Sequence, residues 1–253
     1  MANRAEQRRE AREKGGSEMT KFYYVFGAVF VVGAAAVMYS LGANSFGAAA
    51  SEPIEIEGLD DMSTLVALAQ GVTKGDPDAP VTIVEFADYQ CPGCGSFALS
   101  VKPQIDLSYV ETGKAKFVYY DFPLISIHAH SFLAARTARC AADQDRFWDY
   151  QNLLFRNQAN WAADSAPMGK FLGYAADLGM DEQAFEGCVK SDRHADVVSA
   201  NMRLAYELGI DGTPTVMISA GGGMARRLNS FDFQSIQSVV EELLAVPAEP
   251  VGN

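Results

Sequence analysis

Two cysteines separated by two residues, Cys91-Pro92-Gly93-Cys94, have the spacing in this chain best suited to thiol chemistry. The apolar, β-branched run Val81–Ala87 precedes them and predicts a buried strand. Residues 97–110 have apolar side chains at helical spacing. A thiol at such a strand-to-helix junction has a lowered pKa, because free N–H groups and the helix dipole favour the thiolate. The motif therefore predicts a reactive thiol pair, with a structural disulfide as the alternative.

Cys91 is the expected nucleophile, because it begins the helix and the following Pro92 leaves its side chain accessible. Cys94 lies one turn further and is expected to be the buried resolving thiol. In an oxidation, a substrate thiolate attacks the Cys91–Cys94 disulfide and forms a mixed disulfide at Cys91. A second substrate thiol then displaces Cys91, and the substrate leaves with a disulfide.

The elements that must position this motif follow one another as an α/β pattern. A second core strand is predicted at 114–122 and a long helical block at about 128–208. The last elements are a strand at 214–219, a returning strand at 225–228 and a helix at 231–245. This order predicts a small sheet whose two halves are separated by a helical insertion.

The N-terminal residues predict a membrane anchor. Residues 1–21 form a basic arm, and 22–41 carry no charge over about 20 residues, the length of a transmembrane helix. The positive-inside rule places the arm in the cytoplasm and the remaining chain outside. A cleaved signal peptide is the alternative, and a buried core helix is a third. A linker at 42–65, a folded domain at 66–247 and a tail at 248–253 complete the predicted organisation. The net charge of −12 argues against a nucleic-acid partner.

The Cys-Pro-Gly-Cys motif and the later Gly212-Thr213-Pro214-Thr215 together resemble the DsbA-like thiol:disulfide oxidoreductases of the thioredoxin superfamily. The run Phe147-Trp148-Asp149-Tyr150 resembles a segment that opens a helix in the family's insertion. The resemblance implies a thioredoxin-like fold with a helical insertion. It also implies that the Thr213–Pro214 peptide is cis and that the Thr213 backbone pairs with an extended substrate. No cofactor is expected.

Two residues near the motif carry further expectations. The family has a buried acid six residues before its first cysteine, and here that position is Glu85, a candidate proton acceptor near Cys94. The alternative is a sheet-end residue that reaches water. Gly93 departs from the histidine of the DsbA namesake, so one stabiliser of the thiolate is missing. We therefore expect a weaker oxidant, with a reductase or isomerase, for example in cytochrome c maturation, as the alternative.

The other two cysteines, Cys140 and Cys188, lie outside the redox motif, and their separation is unlike that of zinc-binding cysteines. Some DsbA-like proteins have a disulfide in the insertion, and thiols outside the cytoplasm oxidise, so a Cys140–Cys188 disulfide is predicted. Two buried thiols or a second redox pair are the alternatives. The pair His128 and His130 predicts solvated residues at a helix start, and no metal site is expected.

The expected setting is a single-pass protein of the cytoplasmic membrane, held by 22–41, with its catalytic domain outside the cytoplasm. Its substrates are expected to be exported proteins that contain cysteines. Its redox partner would be a membrane re-oxidase of the DsbB or vitamin K epoxide reductase type, or a donor of reductant. A monomer is expected, because the segment before residue 80 is short for a dimerisation domain. A non-enzymatic binding or chaperone module is the remaining alternative.

Overall fold

The computed structural model describes residues 24, 26–27, 29–38, 52–221 and 223–245. The chain forms two compact units, Met1–Phe46 and Gly47–Asn253. In the first unit, the described residues are helical and exposed. No helix within the described ranges is long and apolar enough to cross a membrane. The predicted arm 1–21 and tail 248–253 lie outside these ranges, and the predicted span 22–41 is covered only in part.

The second unit is built on a five-stranded sheet in the order β1-β3-β2-β4-β5. Strand β2 pairs in parallel with β3 and antiparallel with β4, and the remaining pairs are antiparallel. The apolar run of the sequence is the central strand, and all its side chains except those of Thr82 and Val84 are buried. The strands are β1 (Val72–Lys74), β2 (Val81–Ala87), β3 (Ala115–Asp121), β4 (Thr215–Ala220) and β5 (Arg226–Arg227).

Helices cover the sheet and form the insertion between β3 and β4, so the predicted α/β fold with a helical insertion is confirmed. The sequence predicts that the domain starts at residue 66, and in the structure helix α1 begins four residues earlier, at Met62. The helices outside the redox segment are α1 (Met62–Leu68), α4 (Ser131–Ala142), α5 (Phe147–Arg156), α6 (Gln158–Ala162), α7 (Met168–Asp177), α8 (Glu182–Lys190), α9 (Ala195–Glu207) and α10 (Phe233–Ala245).

The helical segment after Cys91 is not one regular α-helix. It consists of α2 (Pro92–Ser96), a π-helical turn (Phe97–Val101), α3 (Lys102–Ile105) and a second π-helical turn (Asp106–Val110). Pro103 in α3 has no N–H to donate, which prevents regular i→i−4 bonding at that point. The periodicity of the sequence predicts helix here but not its widened turns.

A disulfide joins Cys140 in α4 to Cys188 in α8, as predicted. Both residues are buried within the insertion. The closed loop spans a sequence separation of 48 residues, and a crosslink over such a loop stabilises the folded state by about 2–4 kcal/mol. This bridge therefore stabilises the helical unit and is separate from the redox pair.

Candidate active site

The redox motif lies where the central strand ends and the helical segment begins. Cys91 is the N-cap of α2 with an extended backbone, and Pro92 is the first helical residue. Both Cys91 and Cys94 are free thiols; Cys91 is half-buried, whereas Cys94 is fully buried. The backbone N–H of Asp88 donates to Cys94 Sγ at 3.4 Å. This arrangement gives one accessible thiol and one enclosed thiol, as the sequence predicts.

The structure brings Thr213 and Pro214 against the redox motif across the helical insertion. Their peptide bond is cis, and Cys91 Sγ lies 3.4 Å from the carbonyl oxygen of Thr213. A Cβ atom at Gly93 would lie 3.2 Å from Pro214 Cδ, closer than ordinary van der Waals contact. Glycine at position 93 therefore allows the motif to pack tightly on Pro214.

The surroundings of Cys91 stabilise its thiolate. A hydrogen bond from the Cys94 thiol is the largest influence on Cys91 and lowers its pKa to about 5, although partial burial opposes this. The Thr213 side chain and the backbone N–H groups of Gly93 and Cys94 lower the same pKa further. Burial instead raises the pKa of Cys94 well above its usual value. The two thiols are thus divided into a nucleophile that is ionised at neutral pH and a partner that keeps its proton.

This division predicts a large difference in the pH dependence of alkylation. In the reduced chain, Cys91 is expected to react with iodoacetamide along a curve whose midpoint lies near pH 5, while Cys94 stays unreactive at neutral pH. Mass spectrometry of quenched samples would measure both rates. In Cys94→Ala, the midpoint should move to higher pH because the main hydrogen bond to the thiolate is lost. A midpoint in wild type near that of an ordinary thiol would contradict this assignment.

Glu85 lies inside the sheet, between Tyr119 of β3 and Val216 of β4. It is 1% exposed, so the alternative of a sheet-end residue that reaches water is wrong. Its Oε1 atom has no hydrogen-bond partner among the described residues. Burial raises the pKa of Glu85 to about 8, and the charge of Glu85 in turn helps raise the pKa of Cys94. A carboxyl group in this state can exchange a proton at neutral pH.

Lys102 is a buried cation close enough to Glu85 to lower its pKa against the effect of burial. Its Nζ atom bonds Asp106 Oδ2 at 2.7 Å and lies 4.6 Å from the centre of the Trp148 ring. Asp106 also accepts a bond of 2.7 Å from Lys74, which is partly exposed. The charged groups Lys102, Asp106 and Lys74 therefore lead from the vicinity of Glu85 towards the surface. The sequence does not indicate this group, because a lysine in an amphipathic helix normally faces solvent.

The loop before Cys91 is fixed by a buried aspartate. Asp88 Oδ2 lies 2.8 Å from His128 Nδ1 and accepts a bond of 2.7 Å from the Leu124 N–H. Asp88 Oδ1 accepts a bond from the Gln90 N–H at 2.6 Å. The prediction of a solvated His128 is therefore wrong, since its ring is mostly covered and contacts Asp88. Asp88 in turn presents its own N–H to Cys94, so this cluster positions the resolving thiol.

The helical insertion contributes Gln158 to the redox loop. Its Nε2 atom donates to the carbonyl oxygens of Tyr89 at 2.7 Å and Cys91 at 2.9 Å. Gln158 also borders Gly95, where an added Cβ would lie 3.2 Å from its Oε1 atom. The residue lies far along the chain from the motif, and nothing in its sequence context indicates this role.

The strand order, the Cys91–Cys94 motif and the opposing Thr213–Pro214 peptide define a thioredoxin fold with a helical insertion. A family model described as Thioredoxin matches residues 68–232, and the chain belongs to that family. Within it, the fold is of the DsbA type, since the chain shares its fold with the BdbD and DsbA structures described next.

Disulfide oxidoreductases of the DsbA type are among the relatives of this chain. A probable disulfide bond formation protein D of Bacillus cereus is 26% identical over 187 residues, which cover 73% of this chain and 84% of the relative. The crystal structure of oxidised BdbD from Bacillus subtilis has 25% identity and a TM-score of 0.60, covering 68% of this chain and 91% of that one. Wolbachia pipientis α-DsbA1, at 23% identity, shares the fold with a TM-score of 0.62 and covers 69% of this chain and 90% of its own.

Sodium/proton antiporters also match. NhaA 3 of Salinispora tropica is 29% identical over 163 residues, which are 64% of this chain but 24% of the antiporter. The chain spans about a quarter of the length of these first curated relatives. The similarity therefore concerns a limited segment of each antiporter.

Proposed function

We propose that this protein is a thiol:disulfide oxidoreductase that oxidises dithiols in exported proteins. The observation that carries the proposal is the accessible Cys91 thiol, with a pKa lowered to about 5, lying 3.4 Å from the Thr213 carbonyl oxygen and beside the buried Cys94. An extended substrate chain that pairs with the Thr213 backbone would bring its own thiol to Cys91.

The reaction begins with the Cys91–Cys94 disulfide. A substrate thiolate attacks Cys91 Sγ, the bond between the cysteines breaks, and Cys94 leaves as a thiolate. Glu85, protonated at neutral pH because burial raises its pKa to about 8, supplies the proton that Cys94 takes up. A second substrate thiolate then attacks the substrate sulfur of the mixed disulfide, and Cys91 leaves. The substrate has lost two electrons, and the Cys91–Cys94 pair has gained them.

The low pKa of Cys91 favours the oxidising direction. A thiolate that is stable at neutral pH stabilises the reduced form and leaves readily from the mixed disulfide. Gly93 offers no side-chain donor, so the contacts of Cys94, Thr213 and the backbone must supply this stabilisation. To act repeatedly, the reduced pair requires an oxidant, and a membrane enzyme of the DsbB or vitamin K epoxide reductase type fits this need.

The reduction potential of the Cys91–Cys94 pair tests the proposed direction. Equilibration of the full chain with glutathione redox buffers, followed by alkylation and mass spectrometry, should give a value above about −200 mV. A value near the −270 mV or so of thioredoxin would instead identify a reductase. Oxidation of a reduced model substrate should be measured in parallel. Substrate binding without thiol exchange would indicate a non-enzymatic module and contradict the proposal.

The site of action is part of the same proposal. The basic arm 1–21 and the uncharged segment 22–41 support a membrane anchor with the redox domain outside the cytoplasm. The Cys140–Cys188 disulfide also fits an oxidising compartment. After reduction of intact cells with a membrane-impermeant phosphine, labelling of Cys91 by a membrane-impermeant thiol reagent should succeed, and labelling only after lysis would contradict this location.

A further inference from the structure

The second cysteine pair lies beside two polar side chains that thiol exchange does not use. The Sγ atoms of Cys140 and Cys188 and a ring nitrogen of His194 all lie within 4.8 Å of one another. Asp143 borders the same point, with Oδ2 at 3.6 Å from Cys188 Sγ and Oδ1 at 3.0 Å from His194 Nε2. Two sulfurs and an imidazole thus converge from α4, α8 and the residue before α9, and Asp143 lies at the edge of this cluster against His194.

We propose that this cluster is a zinc site in the reduced chain, with Cys140, Cys188 and His194 as its protein ligands and Asp143 holding the His194 ring. Protein zinc ions are usually four-coordinate, and a water can complete a set of three side-chain ligands. A tetrahedral ion with bonds of about 2.0–2.3 Å separates neighbouring ligand atoms by roughly 3.3–3.8 Å. The two sulfurs and a ring nitrogen of His194 already lie within 4.8 Å of one another, so small adjustments reach this range. The main adjustment is that the two sulfurs must move apart once their bond is broken.

The exchange between disulfide and metal balances in electrons and protons. A dithiol reductant gives two electrons and two protons to the Cys140–Cys188 bond, forms two thiols and becomes a disulfide itself. Zinc then displaces the two thiol protons to solvent and binds both sulfurs as thiolates. The same two helices are joined in either state, by a covalent bond in one and by an ion in the other.

The surroundings of the cluster suit an ion that enters from solvent. The sulfurs are buried, whereas the side chains of His194 and Asp143 are 23% and 32% exposed and form the outer side. His194 has a φ of +68°, a left-handed conformation that residues with a side chain rarely adopt. Arg193 bonds Asp143 Oδ2 at 3.0 Å and would balance the excess negative charge of two thiolates and a carboxylate.

The zinc site is separate from thiol exchange at Cys91, because it holds the insertion together before its disulfide forms. A loop closed by zinc is constrained much as one closed by a disulfide, and metal binding contributes directly to folding. The spacing of the cysteines alone does not indicate a zinc site. His194 and Asp143 are 51 residues apart in the sequence, and the fold brings them into contact.

The test uses the full chain with Cys91→Ser and Cys94→Ser, which leaves Cys140 and Cys188 as its only thiols. After reduction with a phosphine, zinc is titrated in competition with a chromophoric chelator, and cobalt serves as a spectroscopic probe. We expect one ion per chain, a thiolate-to-cobalt charge-transfer band and the visible bands of tetrahedral cobalt. His194→Ala should weaken zinc binding by at least about tenfold, and the control His130→Ala should leave it unchanged.

Zinc binding that is unaffected by His194→Ala, or that persists when Cys140 and Cys188 are serine, would overturn the proposal. Circular dichroism at each step distinguishes loss of folding from loss of a ligand. If reduction unfolds the chain, zinc must restore the helical signal, and failure to restore it would also overturn the proposal. Because this chain lacks both active-site thiols, its result is independent of the proposed oxidoreductase activity.

Discussion

Cys91→Ala is expected to abolish disulfide exchange, with a loss of at least about 1000-fold in rate, because it removes the sulfur that every step uses. Cys94→Ala should behave differently. Its Cys91 thiolate can still attack a substrate disulfide, but without the buried resolving thiol the mixed disulfide persists. Non-reducing electrophoresis and intact mass measurement should therefore show a stable adduct with Cys94→Ala and none with Cys91→Ala.

The second cysteine pair provides a matched control for this experiment. Replacing Cys140 and Cys188 by serine removes two sulfur atoms, against one in each single variant, but leaves the redox motif and Thr213 in place. This variant should lose about 2–4 kcal/mol of stability and keep exchange chemistry at temperatures where it remains folded. If Cys91→Ala oxidised a reduced substrate at the wild-type rate, the mechanism would be refuted.

The residues of the active site that sequence alone could predict are those whose local context is unusual. A nearly continuous apolar run such as Val81–Ala87 is typical of a strand in the interior of a sheet. In the structure, Val81–Ala87 is the central strand, with the same first and last residues. The pair Cys91 and Cys94 follows at a strand-to-helix junction, where a thiolate is stabilised. Thr213–Pro214 lies far along the chain, and only its resemblance to a known family connects it with the redox motif.

The missed residues share a different property: each has an ordinary sequence context and an unusual partner. Lys102 has the spacing of a solvated helix residue, yet the Phe117 and Trp148 rings cover its ammonium group. Gln158 reaches the redox loop only because the insertion folds back over it. Such contacts depend on how the insertion packs on the sheet, and no local pattern in a single sequence contains that information.

Glu85→Gln is expected to change both stability and rate. In the folded chain the pKa of Glu85 is raised from 4.5 to about 8 by burial, whereas in the unfolded chain the carboxyl group titrates normally. Between these two values the folded state holds a proton that the unfolded state has lost. Stability therefore falls as the pH rises from about 4.5 to about 8, and the loss amounts to roughly 3–5 kcal/mol once Glu85 is ionised.

Glutamine has nearly the same shape and does not titrate, so the variant should lack this loss. At pH 5 its free energy of unfolding should be close to that of wild type, and at pH 8 it should be higher by a few kcal/mol. Exchange should become slower by up to about 100-fold, because the buried Cys94 no longer has a group with which to exchange a proton. The exposed Glu111 supplies the control, and Glu111→Gln should alter neither quantity.

The oxidised chain is the right form for the stability measurement, because Cys91 titrates in the opposite sense when it is reduced. Its folded pKa of about 5 lies below that of a free thiol, so the folded state loses its proton first and stability rises with pH above about 5. In the reduced chain this gain offsets the loss from Glu85. In the disulfide form the Cys91 thiolate, whose charge adds to the raised pKa of Glu85, is absent. Burial still raises that pKa, so the loss of stability from Glu85 keeps its sign. Denaturant unfolding of oxidised wild type that is independent of pH between 5 and 8, or equally dependent in Glu85→Gln, would show that Glu85 is not the buried acid of this site.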